Sequence, residues 1–233
     1  MTTFLIILGV LALSVVSFYG YLFHIIKNEN PEFWNSRVKK IEARYHGTNP
    51  QNRILFAGSS SIEYWETLEK DMEPLQVLNH GIGGTKVADV IFYADRLIYP
   101  FNPRAIVFFA GTNDINGFKN SSKSGEEVFR LTVDFFSQVR AKFPAIPIFY
   151  IAIFPCPAKI KVWKDAEEAN RLIKEYCTTH NNFYFINPNA DLLDVNGKLR
   201  KDIFRFDKVH FNKEGYRIWA KAVKPELMRI IKI

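Results

Sequence analysis

The chain has 233 residues, 48% of them hydrophobic and 24% charged. That length and balance suit a single globular domain with a sizeable core, and they exclude a disordered chain or a disulfide-stapled miniprotein. The formal net charge is +7, but Lys and Arg are scattered rather than blocked and no nucleic-acid-binding motif accompanies them, so no nucleic acid partner is expected.

The only cysteines are Cys156 and Cys177, too few for a disulfide framework and without Cys-x-x-Cys spacing. The five histidines lack the His-Glu-x-x-His spacing of a zinc site, so neither metal nor cofactor is expected.

From Phe4 to Ile26 the sequence is apolar and carries no formal charge. At about 1.5 Å per helical residue, about 23 residues reach about 35 Å, enough to cross a hydrocarbon core of about 30 Å. Tyr19, Tyr21 and Phe23 suit an interfacial aromatic belt. A cleaved signal peptide would need a basic start and a small-residue cleavage site, and Met1-Thr2-Thr3 and the aromatic run Phe18–Phe23 supply neither. Residues 1–27 are therefore expected to form a single-pass membrane anchor. Lys27, Arg37, Lys39, Lys40 and Arg44 follow the span and nothing basic precedes it, which favours a cytoplasmic globular part.

Residues 28–52 read as an amphipathic helix and linker. Asn30-Pro31 suits a helix start, and Trp34, Val38, Ile41 and Tyr45 recur on one face. Over 53–233, strands are expected at 53–57, 76–79, 105–110, 147–154 and 182–186. Helices are expected at 62–71, 87–97, 125–143, 166–178 and 213–230. Apolar strands alternating with helices predict an α/β domain with a parallel sheet covered on both faces. In such sheets, sites form beyond the carboxyl ends of the strands.

Four segments follow there. The first strand leads into Gly58-Ser59-Ser60-Ser61-Ile62, which could equally be a capped helix start. The second leads into Gly81-Ile82-Gly83-Gly84-Thr85. Lys86 stands where a dinucleotide fingerprint needs its third glycine, but the backbone N–H groups of such a loop can serve an oxyanion. The third leads into Gly111-Thr112-Asn113-Asp114, where Asn113 is either a turn residue or an amide aimed at developing charge. Near the C-terminus stands Asp207-Lys208-Val209-His210, followed by Asn212 and Gly215-Tyr216. An acid three residues before a histidine can hold the ring in one tautomer while its other nitrogen takes a serine proton.

In this order the four segments resemble the SGNH (GDSL-type) hydrolase superfamily, most of all its bacterial esterases with Gly-Ser-Ser-Ser-Ile-x-x-Trp, here Gly58 to Trp65. The similarity runs from about Phe33 to the end. It implies a flavodoxin-like three-layer α/β/α sandwich with a five-stranded parallel sheet. It also implies that Ser60 is the nucleophile, that His210 and Asp207 are its base and orienting acid, and that Ser60, Gly84 and Asn113 form the oxyanion hole. Three departures from the family pattern stand out: Ser59 replaces Asp, Lys208-Val209 stands where Gly-Leu is usual, and Lys159 stands where Arg is frequent.

The expected activity is hydrolysis of a small acyl ester through an acyl-enzyme. An acyltransferase using the same residues and a catalytically inactive membrane-anchored binding module are the alternatives.

Overall fold

The computed structural model describes residues 27–48 and 50–231, together with 16, 17 and 20. The expected anchor, residues 1–27, falls almost wholly outside them. Among the described residues no helix is long and apolar enough to cross a membrane.

Chain order is a short 3-10 turn Pro31–Trp34, α1 (Asn35–Arg44), β1 (Ile54–Gly58), α2 (Ser60–Glu63), α3 (Leu68–Met72), β2 (Val77–Gly81), α4 (Val87–Phe92), α5 (Ala94–Leu97), β3 (Ala105–Phe109), α6 (Gly125–Lys142), β4 (Ile148–Ile151), α7 (Trp163–Thr179), β5 (Phe183–Ile186) and α8 (Lys213–Ile230). The five strands form one sheet in the order β2-β1-β3-β4-β5, and every pairing is parallel. All of β1 and β3 is buried, because helices cover both faces.

Side chains alternate across the strands and so feed two cores. Leu55, Ala57, Ile106 and Phe108 face a layer built from α1 and α4–α7. Ile54, Phe56, Val107 and Phe109 face α2, α3 and α8, where Trp65 stacks on Tyr216 at 5.6 Å and meets Trp219 edge-on at 5.8 Å. Two motifs more than a hundred residues apart, Gly58–Trp65 and Gly215-Tyr216, therefore share one packing cluster.

The α1 region forms as its sequence suggests. The Asn30 side chain accepts the Glu32 N–H at 3.0 Å, and Pro31 occupies the first helical position. Trp34, Val38 and Ile41 are buried at 2%, 0% and 2% exposure, so the stripe is core. Burial of each contributes about 1.5–3 kcal/mol.

Several expected element boundaries need correction. The helix expected at 62–71 is two pieces: the chain turns at Tyr64 and Trp65, and the Trp65 indole N–H is held by Asp71 at 2.7 Å. The helix expected at 87–97 also breaks, at Tyr93. The second strand, expected to end at Asn79, continues through His80 to Gly81, because both pair with β1.

Candidate active site

The site lies beyond the carboxyl ends of the neighbouring strands β2, β1 and β3. Gly58 ends β1 with φ +147°, and a methyl group there would overlap the carbonyl oxygen of Phe109 on β3. Only glycine fits that close approach. The chain then turns, with the Ser59 N–H donating to the same Phe109 oxygen at 3.0 Å, and Ser60 opens α2. Its N–H is one of the helix-start donors without an intrahelical acceptor. Ser60 is 8% exposed, against 1% for Ser59.

His210 and Asp207 sit in the loop before α8. The Asp207 Oδ1 accepts the backbone N–H groups of Val209 and His210, each at 2.9 Å. That turn places Lys208 at φ +59°, the left-handed region that glycine adopts freely. The Lys-for-Gly departure thus falls on a position where backbone geometry favours glycine. The other oxygen, Oδ2, accepts from His210 Nδ1 at 2.7 Å, and His210 Nε2 lies 2.8 Å from Ser60 Oγ. An ionised carboxylate only accepts, so the proton belongs on Nδ1, and Nε2 is free to accept from the serine hydroxyl. Burial would raise the Asp207 pKa, but the hydrogen bonds from His210 and Val209 outweigh it and hold the carboxyl below its ordinary value. The Tyr64 ring meets the imidazole edge-on at 5.0 Å, and Arg205 lies over Tyr64 at 5.2 Å.

Gly84 takes φ +91° in the loop after β2. Asn113 donates its side-chain amide to the Thr85 carbonyl at 3.0 Å, which joins it to the same loop. Among the described residues the second amide proton has no acceptor. The five residues read from the sequence thus occupy three adjoining loops and one helix start.

Asp114, next to Asn113, is fully buried. One carboxylate oxygen accepts the Val87 N–H at 3.1 Å; the other has no hydrogen-bond partner among the described residues. Burial pushes its pKa up to about 6. Lys159 turns inward and its ammonium donates to the Thr112 carbonyl at 2.6 Å; burial lowers its pKa. That contact ties Lys159 to the Thr112–Asn113 peptide group.

The sequence reading missed one pair of residues. Arg37 on α1 donates to Glu63 at 3.3 Å and to the Gly83 carbonyl at 3.2 Å, while Glu63 accepts the Gly83 N–H at 2.7 Å. Both peptide groups flanking Gly83 are therefore gripped by one ion pair. The partners lie 26 and 46 residues from Arg37 in sequence, and no local pattern marks them.

Cys156 and Cys177 are both free and buried. Among the described residues no group of three His, Cys, Asp or Glu is placed to hold a metal ion.

A family model described as GDSL-like Lipase/Acylhydrolase matches residues 45–218. No match is found among curated protein sequences. Among solved structures, a Streptococcus pneumonia protein described by name as a platelet activating factor shares 21% identity over 93% of this chain and 99% of its own, with a TM-score of 0.71. A GDSL-like lipase from Bacteroides thetaiotaomicron shares 19% identity over 82% of this chain and 98% of its own, with a TM-score of 0.67. An acetyl-xylooligosaccharide esterase from Geobacillus is 18% identical over 79% of this chain and 95% of its own, with a TM-score of 0.62. At these identities the structural likeness speaks for the fold alone.

Proposed function

Because the chain belongs to the GDSL-like lipase/acylhydrolase family, we propose that it hydrolyses carboxylic esters through a covalent acyl-enzyme on Ser60. The observation that carries this reading is the continuous hydrogen-bond chain Ser60–His210–Asp207, at 2.8 and 2.7 Å. His210 Nε2 takes the hydroxyl proton as Ser60 Oγ attacks the ester carbonyl, and the ionised Asp207 stabilises the imidazolium that forms. The tetrahedral oxyanion is held by the N–H groups of Ser60 and Gly84 and by the Asn113 amide. His210 then protonates the leaving alcohol. Water, deprotonated by the same nitrogen, attacks the acyl-enzyme and releases the acid. No cofactor enters the cycle.

Labelling with a fluorophosphonate, followed by peptide mapping, tests the assignment. The adduct is expected on Ser60, and Ser60→Ala should abolish both labelling and hydrolysis of p-nitrophenyl acetate. An adduct on Ser59 or Ser61 would overturn the choice of nucleophile. No labelling would favour an inactive binding module.

We further propose that the apolar run Phe4–Ile26 anchors the enzyme in a membrane, with the domain on the cytoplasmic side that the following Lys and Arg favour.

A further inference from the structure

Two regions flank the site residues, one beside Gly84 and one beside the Asp207–His210 turn. On one side, the Lys86 ammonium donates to the Asn28 carbonyl at 2.8 Å and pairs with Glu29 at 2.5 Å. Lys86 is two residues beyond Gly84, so Asn28 and Glu29 lie beside the proposed oxyanion loop. On the other side, behind the Asp207–His210 turn, lies a groove of about 590 Å³. Its two walls are joined by the Ala158 N–H donating to the Lys208 carbonyl at 3.2 Å.

The chemistry of this groove is one-sided. Its lining includes Lys198, Lys201, Arg205 and Lys208 and no acidic residue. Arg205 is shared with Glu66 at 3.5 Å, but no carboxylate lies within 4.0 Å of the three lysine ammoniums among the described residues. The nearby acids are engaged elsewhere: Asp202 with Arg200, Asp194 with the N–H groups of its own turn, and Asp207 with His210. Between the cations stand apolar side chains in the open: Phe206 is 102% exposed and Ile160 52%. A surface that presents hydrocarbon and phosphate together complements both features. A soluble acidic partner would use the lysines and leave the phenyl ring in water.

We propose that this groove and its rim dock the catalytic face onto an anionic phospholipid surface, with Phe206 and Ile160 entering the acyl region and Lys198, Lys201 and Lys208 facing lipid phosphates. The substrates are then carboxylic esters resident in, or presented at, that surface. The substrate part rests on the esterase reading above; the docking part does not.

The test uses the full chain reconstituted in vesicles of phosphatidylcholine, with and without phosphatidylglycerol. An environment-sensitive NBD label is placed on Phe206→Cys, the native cysteines being buried. Its emission should shift to the blue in the anionic vesicles and not in the neutral ones, and Lys198→Glu with Lys201→Glu should abolish the shift. Equal emission in both vesicle types would overturn the docking surface whether or not the protein is an esterase. In the second arm, Ile160→Ser with Phe206→Ser should lower hydrolysis of p-nitrophenyl palmitate carried in the anionic vesicles by about tenfold and leave p-nitrophenyl acetate hydrolysis unchanged. Equal rates on the vesicle substrate would overturn the substrate class. Hydrolysis of neither ester by the wild type would overturn the esterase reading and leave the label to decide the docking.

Discussion

The Arg37 guanidinium donates to the carbonyl oxygen of Gly83 at 3.2 Å, and that oxygen belongs to the same planar peptide group as the N–H of Gly84. In a trans peptide the two point in opposite directions. Fixing one aims the other. A residue of α1, outside the residues 45–218 that the family model matches, thereby sets the direction of a proposed oxyanion donor.

Arg37→Ala should therefore lower kcat on a soluble ester while KM changes little. Loss of an oxyanion donor costs about 10²–10³; loss of its support should cost less, about tenfold. Arg37→Lys, which keeps a donor near Gly83, should recover part of the rate. Equal changes in kcat and thermal stability, with no rescue by lysine, would make Arg37 a packing residue only.

Asn113→Ala removes a donor outright, and kcat should fall by about 10²–10³ with folding retained. Asp207→Asn leaves the turn but favours the wrong imidazole tautomer, and a loss of about 10⁴ is expected. Steady-state kinetics on p-nitrophenyl acetate read both. A near-normal Asp207→Asn enzyme would mean that another group orients His210.

Asp114 and His80 bend the pH dependence of stability in opposite directions. Burial raises Asp114 from 3.8 to about 6. Between those values the folded chain keeps a proton that the unfolded chain has lost, so this contribution falls as pH rises. Burial lowers His80, whose Nδ1 contacts the Leu97 carbonyl at 2.6 Å, from 6.5 to about 4. There the unfolded chain binds more protons, and the contribution grows as pH rises. Each is on the order of 3 kcal/mol. Asp114→Asn should leave the His80 contribution unopposed, so urea-unfolding stability should climb more steeply with pH across about 4–6 than in the wild type. An unchanged slope would show that Asp114 titrates normally.

A chain truncated to begin at Lys27 should remain folded and active on soluble esters, because α1 and the Glu29–Lys86 pair are kept. Removing α1 as well takes away Trp34, Val38, Ile41 and Arg37, and should cost several kcal/mol of stability together with the rate. Circular dichroism melts and ester assays of the two chains distinguish these outcomes.

The strands were legible because they are apolar through their length, the mark of a sheet covered on both faces. The run 147–154 overshot β4, which ends at Ile151: Ala152–Phe154 stay buried in a loop where Asn170, not a neighbouring strand, takes the Ile153 N–H at 2.8 Å. Apolarity records burial, not pairing. The two broken helices were missed for a related reason, since the Trp65 and Tyr93 side chains suit a helix face as well as a turn. Ser60, Asp207 and His210 were readable through family-like motifs, each compact in sequence. The Arg37–Glu63 grip spans three segments and has no such local form.

Ser60 and His210 meet across 150 residues of sequence. During synthesis the serine leaves the ribosome long before its base, and His210 is pinned only once α8, the last helix, packs Tyr216 and Trp219 against Trp65. A nascent chain, or one that has lost its C-terminal helix to a protease, carries a serine with no partner to take its proton. On the proposed mechanism, the order of synthesis thus keeps the Ser60–His210 pair unassembled until α8 has been made.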